Sequence, residues 1–122
     1  MTTKTNTILN GIMSNAVSYI DTQETYMAVS TDTTAPTVSD TTLGGTELRQ
    51  AVLSSSTTSN SITKEVFISA SQFNGNTINK AGTYSASSGA NLLGASLTNS
   101  IVKNATTEVF VSITTTVSVV NV

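Results

Sequence analysis

An antiparallel β-sandwich of about six to eight strands with a short N-terminal α-helix is the fold this mainly β sequence predicts, and three observations carry it. Thr supplies 24 and Ser 18 of the 122 residues while charged side chains make up only 10%, a composition suited to strands and turns and short of helix formers. Period-two alternation of apolar residues recurs between Ser/Thr/Gly/Asn runs at the spacing expected of a sandwich. Only one segment carries a helical period, so no strand-helix-strand rhythm competes. The length fits one β-rich domain over residues 1–122, able to bury roughly two-thirds of its surface. Six aromatic residues (Tyr19, Tyr26, Tyr84, Phe67, Phe73, Phe110) leave the core to Val, Ile, Leu and Thr methyls.

The helix is expected over residues 6–19. Ile8, Ile12, Ala16 and Ile20 recur at i+4 steps beside Leu9, Met13 and Val17, and Thr5, Asn6 and Thr7 are suitable N-caps. Gly11 weakens it by about 1 kcal/mol relative to Ala. Its apolar stripe should lie on a sheet or on a neighbouring subunit. Thr25 to Ser30 then reads as a strand, and Thr31 to Gly45, which holds the only proline, Pro36, as a long surface loop. Loops of that length usually carry function, which makes this one the first candidate contact surface. Thr46 to Leu53 is a second strand, and the polar run Ser54 to Ser61 reads as a turn or exposed linker.

Three clearer strands follow. From Ile62 to Ser71, Ile62, Val66, Ile68 and Ala70 share a face interrupted by Lys64, while Glu65, Phe67 and Ser69 take the other. Asn74-Gly75 is a strong hairpin signal, although Phe73 could instead anchor a longer loop. Thr77 to Tyr84 is a weaker strand, Ser85 to Ala90 a small-residue turn, and Leu93, Ala95, Leu97, Asn99 and Ile101 alternate after it. The last strand is the strongest: Val109, Val111, Ile113, Val117 and Val119 face one way and Phe110, Ser112, Thr114, Thr116 and Ser118 the other. Glu65-Val66-Phe67-Ile68-Ser69 and Glu108-Val109-Phe110-Val111-Ser112 agree in type at every position. A duplicated motif and a shared strand vocabulary explain this echo equally well, and either places the two segments comparably.

The absences exclude much chemistry. Without His or Cys there is no Ser-His-Asp triad, thiol nucleophile, N/S zinc site or disulfide. Carboxylates remain: Asp32, Asp40 and Glu47 lie in or near the long loop, but without an aromatic platform for a sugar ring, and Trp is absent throughout. Asp32 and Asp40 are expected to make Asx-type turns, and the loop lacks the spacing of a calcium-binding hand. Gly44-Gly45 lacks phosphate-loop spacing and reads as a tight turn into the next strand. The sequon Asn104-Ala105-Thr106 is expected to be chance. No catalytic, metal or cofactor site is therefore assigned, and the chain is read as a non-enzyme.

Net charge is −2, and Lys4, Arg49, Lys64, Lys80 and Lys103 are scattered singly, which speaks against nucleic acid as a partner. No run approaches the roughly 20 apolar residues of a membrane span, and no export signal is visible in Met1 to Ile20. A low-charge, cysteine-free, Thr-rich chain suits a virus particle assembled in the host cytoplasm and released by lysis. Glu47 and Arg49 share a face of their strand; they form either a surface ion pair or, as favoured here, Arg49 anchors the preceding loop through its carbonyls or carboxylates. The run Val117, Val119, Val120 and Val122 stays apolar nearly to the last residue, and Glu108 is the one charge after Asn104. Such a strand should be central in its sheet or buried at a subunit contact.

Ala28-Val29, Thr33-Thr34-Ala35-Pro36, Ser39-Asp40-Thr41-Thr42-Leu43-Gly44 and Glu47-Leu48-Arg49 together resemble a pattern in small virion structural proteins of tailed phages, the tail-fibre-like, minor tail and decoration proteins. A preceding helix, Ala81-Gly82, Ser88-Gly89 and a final Thr/Val strand extend the likeness along most of the chain. Ser30-Thr31-Asp32 departs from it, and Asn79-Lys80 stands where the pattern carries an acidic residue, which puts a shared ion pair near Gly82 in doubt. The resemblance implies an exterior assembly component, a tail or neck fibre subunit or a capsid decoration protein, whose partners are copies of itself, such as a trimer, and other virion proteins. The interaction residues then expected are Thr33, Thr34, Pro36, Asp40, Leu43 and Arg49 at the loop, Ile8 and Ile12 on the helix, and Val117 and Val119 on the last strand. The alternative is a carbohydrate-binding or host-adhesion module on the particle surface.

Overall fold

The computed structural model of the chain describes residues 2–118, with side chains from residue 11 onward. Its elements run α1 (Thr2–Gln23), β1 (Tyr26–Ser30), β2 (Glu47–Ala51), β3 (Ser54–Thr57), β4 (Ser61–Ile68), β5 (Thr77–Tyr84), β6 (Gly94–Val102) and β7 (Val109–Thr116). Every strand pairing is antiparallel, and the pairings make a four-stranded sheet, β2-β1-β5-β6, and a three-stranded sheet, β3-β4-β7. The sandwich read from the sequence is the architecture observed.

Alternation along each strand supplies the core. Met27, Val29, Ile78 and Ala81 from the larger sheet meet Val66, Ile68, Val109 and Val111 from the smaller, with Leu48, Phe73, Ile101 and Ile113 packed around them. Each aliphatic side chain fully buried contributes about 1.5–3 kcal/mol, so branched residues of moderate size hold the sheets together where large aromatics are few. Lys64 belongs to the buried row of β4, between Ile62 and Val66. Its ammonium leaves the apolar interior at the end of α1, where it donates to the Asp21 carboxylate (2.6 Å), the Asp21 carbonyl (3.0 Å) and Ser55 Oγ (2.9 Å).

Two local expectations are corrected, and two open alternatives are narrowed. The helix is longer than residues 6–19, running Thr2–Gln23, because the single Gly11 costs only about 1 kcal/mol and does not end it. Residues Ser54–Thr57 form an edge strand on β4, with a tight return through Thr58 and Ser61; all four side chains are exposed, so no alternation marked them. Asn74-Gly75 does not close a hairpin, since β4 and β5 belong to different sheets. Phe73, at φ +59°, instead anchors a longer connection against the core, the other option the sequence left open. Finally, β7 is not central: among the described residues β4 is its sole sheet neighbour.

The echoed segments do occupy comparable places. They are neighbours, paired antiparallel about Phe67↔Phe110, with ring centroids 4.9 Å apart. No helix among the described residues is long and apolar enough to cross a membrane.

Candidate functional site

Several of the residues singled out in the sequence, Ala28, Leu43, Glu47, Arg49 and Gly82, converge on the outer face of the larger sheet. Register places Arg49, Ala28, Gly82 and Ala95 in one row across β2-β1-β5-β6, and Glu47, Ser30, Lys80 and Leu97 in the next. Lys80 reaches that face because the β5–β6 pairing shifts register between Ile78 and Lys80, so that Ile78 points into the core and Lys80 away from it. Ala28, Gly82 and Ala95, the small residues of the first row, form a trough for a hydrophobic plug. Leu43 of the 31–45 loop fills it, beside Leu92 of the β5–β6 connection, and both lie so close to Gly82 that an added Cβ would sit 2.8 Å from each and from the Gly94 carbonyl. Glycine is required there by the approach of backbone and side chains, not by its dihedral angles.

Polar bonds fix the plug. Tyr84, wholly buried at 0% exposure, accepts at its hydroxyl from the Leu43 amide (3.1 Å) and donates to Glu47 Oε2 (2.9 Å). Glu47 Oε1 accepts from Arg49 Nε at 3.2 Å, and the Arg49 guanidinium carbon stands 3.3 Å from the Tyr84 ring centroid. Burial, then the hydrogen bond to Glu47, raises the Tyr84 phenol above its ordinary pKa. Buried Lys80 donates to Asp32 Oδ2 (2.9 Å) and the Leu43 carbonyl (3.0 Å), so both ends of the loop are tied to one side chain. The Lys80 hydrogen bond holds the Asp32 carboxyl below the usual carboxylate range. Asn79 adds a bond to the Thr31 carbonyl (3.1 Å), and Gly44 and Gly45 turn the chain into β2 at φ +82° and +63°.

This geometry locates the expected residues. Thr33 and Thr34 are exposed, Pro36 is half-buried, and the adjacent Val38 is fully exposed. Asp40 closes the loop tip on itself, accepting from the Thr37 amide and hydroxyl, both at 2.9 Å, which lowers its carboxyl pKa; this is the local turn expected of it. Asp32 keeps that local turn through the Thr34 amide and hydroxyl, but its strongest partner is Lys80, 48 positions away. That pair supplies an ion pair close to Gly82 despite the Asn79-Lys80 departure from the pattern. Leu43 is not offered to a partner: it is buried.

Arg49 anchors a loop, but the following one. It donates to the carbonyls of Ala86 (3.0 Å) and Gly89 (2.8 Å), because its row carries it toward the β5–β6 connection, while the preceding loop is held through Glu47 and Tyr84. Arg49→Ala is expected to lower stability by about 1–2 kcal/mol, read as a drop of several degrees in a thermal melt and faster proteolysis at residues 85–90. An unchanged melt would show the guanidinium to be idle. Ile12 is exposed on α1, which packs on the smaller sheet, away from the loop, and Val117 is half-buried with its amide donating to the Asn60 carbonyl at 2.7 Å. The Ile8 side chain and Val119 lie outside the described residues.

The hollow beside the loop encloses about 380 Å³ and is lined by Asp32, Asp40, Lys80 and loop hydroxyls. Both its carboxylates are already engaged, by an ammonium and by Thr37, and no cluster of three metal-ligating side chains occurs among the described residues. Sequence reasoning noted Lys80 and Gly82 without joining them to the loop and missed Tyr84 and Leu92; the spacing Lys80-x-Gly82-x-Tyr84 on one strand face was the available signal. The chain matches no protein-family model, no curated protein and no solved structure.

Proposed function

We propose that this chain is a non-enzymatic structural component of the exterior of a tailed phage particle, acting through contacts with copies of itself and with another virion protein. One observation carries the reading: four residues of the phage-like pattern, Leu43, Glu47, Arg49 and Gly82, meet around Tyr84. With the Asp32–Lys80 pair, which lies outside the pattern, they form a single clasp that presents the exposed Thr33-Thr34 segment on a braced base. A pattern that encodes a loop platform serves association. The glycan-binding alternative gains no such support, since Tyr84 lies beneath Arg49 and is buried.

Immunogold electron microscopy on particles purified from a lysate of the producing cells tests the reading. Gold is expected on the particle exterior, at the capsid for a decoration protein or at the tail or neck for a fibre subunit. Protein found wholly in the unassembled fraction overturns it.

A further inference from the structure

Glu24, which directly follows α1, is the one acidic side chain fully buried among the described residues, at 2% exposure. Asp21, Asp32 and Glu47 each face a cation, Lys64, Lys80 or Arg49, whereas Glu24 makes no ion pair with any described residue. Its Oε2 accepts from the Thr83 hydroxyl at 2.5 Å and, more weakly, from the Thr115 hydroxyl at 3.4 Å. Thr83 belongs to β5 and Thr115 to β7, so one carboxylate spans the two sheets where the helix ends. Its other oxygen, Oε1, accepts from no described group. Burial strips such an atom of the bonds water would make, and folded proteins seldom leave one unanswered.

Glu24 also lines a cavity of about 190 Å³, together with Thr115, Tyr19, Ile20, Gln23 and Leu93. At roughly 30 Å³ per water, this is the space of about six waters. Its walls are of two kinds. Glu24 and Thr115 form a buried polar end, while Ile20 with Tyr19 and Leu93, which are 66% and 47% exposed, give an apolar flank that opens to solvent.

These walls select the chemistry of a ligand. An anion would meet the Glu24 carboxylate. A metal ion requires more ligands than one carboxylate and one hydroxyl, and no cluster of three metal-ligating side chains occurs among the described residues. Water would use the polar end and leave the apolar flank uncovered. A group with N–H donors and positive charge at one end and hydrocarbon at the other uses both. We propose that this cavity binds a short primary alkylammonium, whose nitrogen donates to Glu24 Oε1 and whose chain runs between Ile20 and Leu93 toward Tyr19. A four-carbon amine has a length and bulk suited to the space. Its binding adds a bond at the junction of α1 and both sheets and so stabilises the folded chain by mass action. The inference stands apart from the virion reading and does not depend on it.

Titration of the amide NMR spectrum with n-butylammonium chloride tests it. Saturable shifts are expected at Gln23, Glu24, Leu93 and Thr115, together with a thermal midpoint that rises with ligand concentration. n-Butanol, which has the chain without the charge, should bind about tenfold more weakly or worse, and sodium chloride at the same ionic strength should leave these resonances in place. Glu24→Gln keeps an acceptor for Thr83 and removes the charge; it should weaken n-butylammonium by about tenfold or more. Should that variant fail to fold, Leu93→Trp, at an exposed position, fills the open flank and should block binding with Glu24 intact. A wild type without saturable shifts at these residues, n-butanol binding as tightly as the amine, or an unchanged affinity in a folded Glu24→Gln or Leu93→Trp overturns the site.

Discussion

Tyr84→Ala is expected to lower the thermal midpoint by about 12–20 °C, the largest effect of any single change in the loop clasp. Truncating a large buried aromatic costs about 3–5 kcal/mol, and a domain of this size loses roughly 4 °C per kcal/mol. Tyr84 is the largest of the fully buried side chains, and its ring supports Leu43 from below while carrying the Arg49 guanidinium on its face. Tyr84→Phe separates volume from polarity. It keeps the ring and removes the hydroxyl that serves both the Leu43 amide and Glu47, which should cost about 1–2 kcal/mol, or roughly 4–8 °C. Calorimetry on both variants checks the ranking. Equal losses would mean that the hydroxyl, and not the packed ring, holds the 31–45 loop.

The phenol also sets an alkaline limit. Its pKa is raised in the folded chain, so its contribution is fully present below the ordinary value of 10.0 and is lost as pH rises through the folded value. The clasp is therefore insensitive to pH across the neutral range on this side, and the acid side depends on carboxylates.

Strand periodicity made the architecture legible in the sequence because a two-sided sandwich forces alternation on any strand with one buried face. β4 and β7 carry that alternation most clearly, interrupted in β4 only by Lys64, and the expected spans run about three residues past their C-terminal ends. β3 was invisible for the same reason: an edge strand of four exposed Ser and Thr residues has no buried face to mark. The clasp was half legible. Its loop side lies in one continuous stretch, whereas Lys80 is aimed at the loop by a register shift that no local pattern announces, and the need for Gly82 exists only once Leu43 and Leu92 have arrived. Arg49 shows the limit most clearly: its row on the sheet could be read from alternation, but the neighbour at the end of that row depends on strand order. Lys64 looked like a break in an apolar face, yet that face ends at α1, where a charge is required.

That charge carries the second large effect. Lys64→Met keeps the buried stem and removes an ammonium that donates to two Asp21 oxygens and to Ser55, and is expected to cost about 2–3 kcal/mol. The figure lies below that of a wholly buried pair because Asp21 can turn toward water. The loss should be local. Hydrogen exchange at the C-terminal end of α1 and along β3 should accelerate, while the 31–45 loop on the other sheet keeps its protection. Acid should reproduce the effect in the wild type. Hydrogen bonds from Lys64 first and Ser55 second hold the Asp21 carboxyl below its ordinary value of 3.8. A carboxyl with a depressed folded pKa contributes stability that is complete above the unfolded value and disappears as pH falls through the folded one. Helix exchange in the wild type should therefore be flat from neutral pH down to about 4 and rise below it, once corrected for the intrinsic rate. In Lys64→Met that rise should shrink, because the larger of the two groups that depress the carboxyl is gone and only the Ser55 hydroxyl remains. A variant that keeps the acid step in full would show that α1 is held by its apolar face, and that the ion pair only marks where the helix ends.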